Sequence, residues 1–153
     1  MEDIEEVADP LDQASQFCAN GLEYQCNGQL DEALDSYLHA IAIHKHLKKD
    51  RDVASDLGDI GLVYRLKGNL KKALECFDEA LDMYEAGECW QEAAGVLFNM
   101  GFTYQDKLDT EKALEYLNSA LDIFNGEGCV DEAQQVRENI DIIHSQKEED
   151  DTI

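Results

Sequence analysis

Histidine and cysteine are the side chains that catalytic and metal sites use most often, and this chain has four histidines and five cysteines. The closest histidines, His44 and His46, are two residues apart, a spacing that points them to different sides of a helix. Neither has a cysteine at the spacing of a zinc site. The sequence contains no phosphate-binding glycine loop, nucleophile elbow or H-E-x-x-H motif. We therefore predict that the protein is not an enzyme and uses no metal or cofactor.

The five cysteines contain no C-x-x-C pair, and an odd number cannot all form disulfides within one chain. The acidic start of the chain lacks the positive and apolar segments of a signal peptide. No apolar stretch approaches the roughly 18 residues that a membrane span needs. We expect reduced thiols and a cytoplasmic protein that does not enter membranes.

The charge is strongly unbalanced, since 35 acidic residues against 12 basic ones give a net charge of −23. This excess repels nucleic acid and anionic membranes, so we expect neither as a partner. The acidic surface either solvates the protein or attracts a basic partner. One basic stretch, residues 44–51, ends a predicted helix, where positive charge complements the helix dipole. We favour that interpretation over a nucleic-acid site.

Small and apolar residues recur every forty residues without an insertion. The repeated columns include Gly21, Gly61 and Gly101, then Tyr24, Tyr64 and Tyr104, then Ala33, Ala73 and Ala113. Within each row the apolar residues have helical spacing, and a short polar break divides the row into two helices. The pattern predicts helices at residues 12–26, 30–48, 52–67, 70–86, 90–106, 109–125 and 130–147.

These columns resemble the tetratricopeptide repeat (TPR). In the second row the family pattern reads Leu57, Ile60-Gly61, Tyr64, Ala73, Phe77 and Ala80. The period of forty rather than 34 and the lack of a repeat-ending proline resemble a longer-repeat subclass. The resemblance implies an all-α fold in which about seven helices form a right-handed superhelix, an α-solenoid.

The repeat boundaries predict one domain over residues 11–147, with repeats at 11–50, 51–90 and 91–130. The ends of a repeat stack need a helix with a polar outer face. Residues 130–147 fit this need, because an apolar stripe alternates there with acidic and amide side chains. The acidic residues at 1–10 and 148–153 are predicted to be solvating tails.

In TPR proteins the first helix of each repeat lines a concave groove that holds a peptide. Carried over position by position, the resemblance implies a groove formed by Cys18, Leu22, Gln25, Asp59, Leu62, Arg65, Phe98, Asn99, Phe102, Gln105, Asn139 and Ile142. Leu22, Leu62, Phe102 and Ile142 share one column, and this column either contacts a ligand or is buried between helices. Asn99 and Asn139 match an asparagine that longer-repeat members use to bond a partner's backbone.

Some TPR proteins bind the acidic EEVD tail of chaperones through lysine, asparagine and arginine. This chain has Cys18, Leu22, Asp59, Gly95 and Asn99 at those positions, so we do not expect a chaperone tail as the partner. We predict an adaptor or scaffold that binds a protein or peptide of apolar and basic character. The alternative is a structural subunit that joins a larger assembly through its convex face or its end helices.

Overall fold

The computed structural model describes residues 7–152, and this part of the chain forms seven α-helices without a β-strand. The helices are α1 (Pro10–Cys26), α2 (Leu30–His46), α3 (Asp50–Leu66), α4 (Leu70–Ala86), α5 (Trp90–Asp106), α6 (Thr110–Gly126) and α7 (Val130–Asp151). The first six have 17 residues each, and α7 has 22. The predicted all-α repeat fold is confirmed.

The carboxyl end of the chain differs from the prediction. The last helix does not end at residue 147 but continues to Asp151, so the acidic residues at 148–151 are helical rather than a tail. At the other end, residues 1–6 of the predicted acidic tail lie outside the described residues. Helix α1 begins at Pro10, where the fixed φ of proline suits a first helical turn. The Asp9 carboxylate caps this helix by accepting from the Leu11 N–H at 2.9 Å.

Six three-residue turns of one kind reverse the chain between helices. The third turn residue donates its N–H to a carbonyl five residues back, as Gln29 does to Tyr24 at 2.8 Å. This bond satisfies a carbonyl that the helix end leaves open. The middle residue is left-handed in every turn, at Gly28, Gly68 and Gly128 and at Lys48, Glu88 and Leu108. The shared turn makes consecutive helices antiparallel.

The helices pack as an α-solenoid in which each helix contacts the next. Helices α3 and α5 also contact each other directly, which places the first helices of successive repeats side by side. We call the surface of α1, α3, α5 and α7 the first-helix face, and the surface of α2, α4 and α6 the second-helix face. None of the described helices combines the length and the apolar character needed to cross a bilayer.

The repeated glycines are the points where the two helices of a repeat approach most closely. A Cβ on Gly61 would lie 2.7 Å from the Phe77 ring, and one on Gly21 would lie 2.8 Å from Tyr37. The third repeat has the same contact between Gly101 and Leu117. The large side chain that fills this gap therefore comes from the second helix.

Helix α7 buries one stripe and exposes a polar face. Its buried residues are Ala133, Val136, Ile140 and Ile143, and α6 is the helix against which α7 packs. At the positions equivalent to Ala14 and Gly21 of the first repeat, α7 carries Gln134 and Asp141, and both are exposed. A further helix could not pack there in the manner of the other repeats, because Asp141 occupies the place of a close helix contact.

Candidate functional site

The first-helix face is rich in exposed apolar side chains. Leu22 and Ile142 of the predicted column are 57% and 53% exposed, while Leu62 and Phe102 between them are half-buried. Leu66, which the sequence analysis did not include, is 56% exposed at the end of α3. Exposed apolar residues that recur along one face mark a candidate contact area.

An aromatic cluster with one bound arginine lies on this face. The Phe98 and Phe102 rings meet edge to face, with centroids 4.6 Å apart. The Arg65 guanidinium of α3 lies 5.3 Å from the Phe102 centroid, and its Nε donates to the Asp106 carboxylate at 2.6 Å. Three predicted groove residues thus come together across α3 and α5. Because Arg65 is already paired, the cluster offers a partner mainly aromatic surface.

Asp59 is half-buried on the same face, and it makes no hydrogen bond or ion pair with residues 7–152. Burial raises the pKa of its carboxyl group to about 6, and the nearby Asp56 charge adds to this effect. A carboxylate that has lost part of its water and has no cation is a favourable place for a partner's ammonium or guanidinium group.

A buried acid–base pair lies behind the face, and the sequence analysis did not predict it. The His44 Nδ1 and Asp56 Oδ2 atoms are 2.5 Å apart, and the two residues are 7% and 2% exposed. The sequence analysis interprets the basic stretch as positive charge that complements a helix dipole, but the His44 side chain packs into the interface between α2 and α3. Its distance of 12 residues from Asp56 gives no local sequence signal.

Cys18 belongs to the same buried cluster. Its thiol donates to Asp56 Oδ1 at 3.4 Å, so the side chain is only partly available to a partner. Burial and the charge of Asp56 raise the pKa of the thiol to about 12. Cys18 is therefore a protonated donor that supports Asp56 rather than a reactive thiolate.

The predicted amide side chains differ in availability. The Gln25 Oε1 accepts from the Tyr37 hydroxyl at 3.2 Å, and Asn139 Nδ2 donates to the Gln135 carbonyl at 2.8 Å. The half-buried Asn99 amide forms no hydrogen bond with the described residues. Gln105 is also half-buried, and its Oε1 atom is buried without a donor. Asn99 is thus the half-buried amide with free bonding capacity toward a ligand, whereas the unbonded Gln105 Oε1 is closed off from the surface.

The described residues hold no group of three or more histidine, cysteine, aspartate or glutamate side chains suited to a metal ion. The exposed apolar side chains and the Asp59 carboxylate are the groups of the first-helix face that remain open to a partner.

The fold defines a TPR-like α-solenoid. Within that class, the chain belongs to the soluble NSF attachment protein (SNAP) family, whose family model matches residues 2–152. No curated protein sequence matches the chain.

Solved structures support the same fold. Aspartyl phosphate phosphatase F from Bacillus subtilis is similar with a TM-score of 0.88 and 21% identity, over 95% of this chain and 38% of that one. The apo form of RapI has a TM-score of 0.82 and 17% identity, over 94% of this chain and 53% of that one. The TPR2AB domain of yeast Sti1 in complex with pHSP90 has a TM-score of 0.67 and 17% identity, over 89% and 50% of the two chains. This chain therefore spans about half or less of each.

Proposed function

We infer that this protein is a protein-binding adaptor whose first-helix face accepts an amphipathic segment with a basic edge. The observation that carries this inference is the combination of exposed Leu22, Leu66 and Ile142 with the unpaired, half-buried Asp59. Apolar residues of the segment would cover the leucines and the Phe98–Phe102 pair. A lysine or arginine of the segment would pair with Asp59, and the free Asn99 amide would bond its backbone.

The family and fold agree with an adaptor role. The family description names attachment to NSF, and the Sti1 structure holds a partner on a similar scaffold. A basic partner also suits the −23 charge of the chain, since long-range attraction speeds the encounter of opposite charges.

Substitution of two exposed leucines tests this function. Replacing Leu22 and Leu66 together with aspartate should weaken capture of the natural partner from a host extract at least tenfold, because carboxylates would oppose apolar contact. Both residues are more than half exposed, so the helices should persist in circular dichroism. Leu38→Asp is the matched control, since Leu38 is 47% exposed on α2 of the second-helix face.

A photo-crosslinking residue placed at position 22 or at Asp82 of α4 would locate the contact. We expect crosslinks to the captured partner from position 22. Crosslinks from position 82 alone, together with unchanged binding by the double aspartate variant, would contradict binding on the first-helix face. That result would instead favour a structural subunit joined through its second-helix face.

A further inference from the structure

A second candidate contact surface lies on the exposed side of α2. Five exposed residues of this helix follow one another at alternating spacings of four and three, which places their side chains in one stripe along the helix. We call them the α2 stripe, and they are Asp31, Asp35, Leu38, Ala42 and Lys45. The stripe is acidic at its start, apolar in its middle and basic at its end.

The equivalent stripes of the next two repeats differ from the α2 stripe. Their middle positions are Asp78 and Asp82 in α4 and Asn118 and Asp122 in α6, so neither stripe has an apolar middle. Neither helix has a base at the position of Lys45. Two copies of α4 or of α6 would therefore bring acid against acid, which is unfavourable. The α2 stripe is the one that another copy of this acidic chain could approach closely.

The middle of the α2 stripe borders a groove between α1 and α2. The groove has a volume of about 540 Å³ and is lined by Gln13, Phe17, Leu38, His39, Ala42 and Ile43. Its Phe17 and His39 rings are stacked with centroids 4.8 Å apart, and Leu38 is 47% exposed. Because this lining contains no carboxylate, an apolar side chain from outside could enter the groove without desolvating a charge.

The order of charges along the α2 stripe makes it complementary to itself. When two α2 helices lie antiparallel about a twofold axis at the level of residue 40, Asp35 of each copy lies opposite Lys45 of the other. Leu38 then lies opposite Ala42, so that a large side chain meets a small one. A parallel pair of the same helices would instead place Asp35 against Asp35 and Lys45 against Lys45.

The two charges of this pair are available to another chain. The Lys45 ammonium group forms no hydrogen bond or ion pair with residues 7–152. The His39 Nδ1 donates to the Asp35 carbonyl at 2.8 Å and lies 3.7 Å from the Asp35 carboxylate, which leaves that carboxylate open to a closer donor. Asp31 is already paired with Lys67, so Asp35 and Lys45 would supply the charge contacts.

We propose that the protein forms a homodimer in which the α2 stripes of two copies pack antiparallel. Leu38 of each copy enters the groove of the other beside Ala42 and Phe17, and an Asp35–Lys45 pair closes each end of the contact. The same surface is used by both copies, so the contact is complete after two chains and does not extend into a filament.

Sedimentation velocity of the full chain tests the proposal. In 0.15 M sodium chloride we expect a monomer–dimer equilibrium with a dissociation constant of about 1–100 µM, as suits a contact of one helix pair and its flanking groove. Dimerisation should be weaker at 0.01 M salt, because two chains of charge −23 then repel each other over a Debye length of about 30 Å.

Charge reversal tests the antiparallel pairing. Asp35→Lys and Lys45→Glu should each weaken the dimer at least about tenfold, because either change turns both attractive pairs into repulsive ones. An equimolar mixture of the two variants should form a heterodimer, since one chain then has two bases where the other has two acids. Glu75→Lys is the matched control: Glu75 is exposed at the position of Asp35 in the next repeat, and its reversal should not weaken the dimer.

A chain that stays monomeric at about 0.5 mM in 0.15 M salt would overturn the proposal and leave the groove to a foreign partner. Dimers that persist in both charge variants, or a mixture that forms no heterodimer, would overturn the antiparallel pairing of α2. The Leu38→Asp chain should be monomeric and still capture the partner of the first-helix face, because that contact rests on Leu22, Leu66 and Asp59. Failure of the dimer and failure of the adaptor function are therefore distinguishable.

Discussion

The Asp59 carboxyl group lies in a half-buried position that disfavours its charged form. Burial raises the pKa of its carboxyl group from 3.8 to about 6, so the folded protein holds this proton more tightly than the unfolded chain. Stability should therefore be lost as the pH rises from about 4 to 6, since over this range the unfolded chain has released the proton and the folded protein still holds it. The cost above pH 6 is the unpaired carboxylate that a basic partner would relieve.

The variant Asp59→Asn should remove this cost. We expect it to be more stable than the wild type by about 1–2 kcal/mol at pH 7, after allowing for the partial exposure of the carboxylate. The difference should shrink toward zero at pH 4, as chemical denaturation across this range would show. Equal stability of the two proteins at pH 7 would mean that Asp59 is well solvated, and the inferred partner cation would lose its support.

Two glycines of α3 provide a matched comparison of packing against helix propensity. A Cβ on Gly61 would lie 2.7 Å from Phe77, whereas one on Gly58 would meet nothing within 4 Å. Gly61→Ala should therefore cost about 1–3 kcal/mol by overpacking. Gly58→Ala should stabilise the helix by about 0.5–1 kcal/mol, because alanine favours the helix where space is free. Equal effects in urea denaturation would contradict the assigned close contact.

At the scale of elements, the three interfaces between successive repeats are not equivalent. The pair His44–Asp56 joins α2 to α3, while Tyr84 and Val96 hold the same positions between α4 and α5. All four residues are buried, so one interface uses an acid–base hydrogen bond where the next uses apolar contact. Replacing a buried ion pair by apolar residues is often neutral or stabilising, whereas removing one partner is costly.

This contrast predicts the outcome of exchanging one interface for the other. Asp56→Val alone should cost about 3–5 kcal/mol, because it leaves His44 and the Cys18 thiol without their shared acceptor. The double variant His44→Tyr with Asp56→Val should recover most of the loss, since it copies the Tyr84–Val96 pair. Denaturant midpoints of the single and double variants measure this coupling. Additive losses would show that the two positions do not interact.

Much of the element scale could be predicted from the sequence. The forty-residue period located all seven helices, because apolar residues at helical spacing and a short break between them recur in each row. The extension of α7 was missed because the acidic residues after Lys147 suit a solvated tail as well as a helix. The period also identified which positions share a face, since helical geometry alone determines this.

The partners of individual side chains could not be read in the same way. Arg65 pairs with Asp106 across 41 residues, and Cys18 bonds Asp56 across 38. Such contacts depend on how two helices meet and on side-chain rotamers, which a periodic pattern does not specify. Several predicted groove residues therefore proved to be engaged within the chain.

At the scale of the whole molecule, like charges dominate. The 35 acidic residues far exceed the 12 basic ones, and few of them form ion pairs within the described residues. Self-repulsion weakens as salt shortens the Debye length from about 30 Å at 0.01 M to about 10 Å at 0.1 M. The melting temperature should therefore rise with sodium chloride over this range.

Choline chloride at the same ionic strength is the control for specific sodium binding. A similar rise in both salts would attribute the effect to screening of repulsion. A falling melting temperature would show that ion pairs such as Arg51–Glu92 and Lys67–Asp31 outweigh the repulsion.

Because the repeats have a constant length of forty residues, a whole repeat could be excised without shifting the helical pattern of the rest. Whether the new junction packs depends on the side chains that the excision brings together. Excision of residues 91–130 would bring Tyr84 against Val136, an apolar pair of the kind already present between α4 and α5. Excision of residues 51–90 would instead place the buried His44 against Val96, with no acid to receive it. The acid–base pair thus gives the repeats an order: the third repeat can be removed with an apolar junction preserved, whereas the first repeat cannot readily be joined to the third.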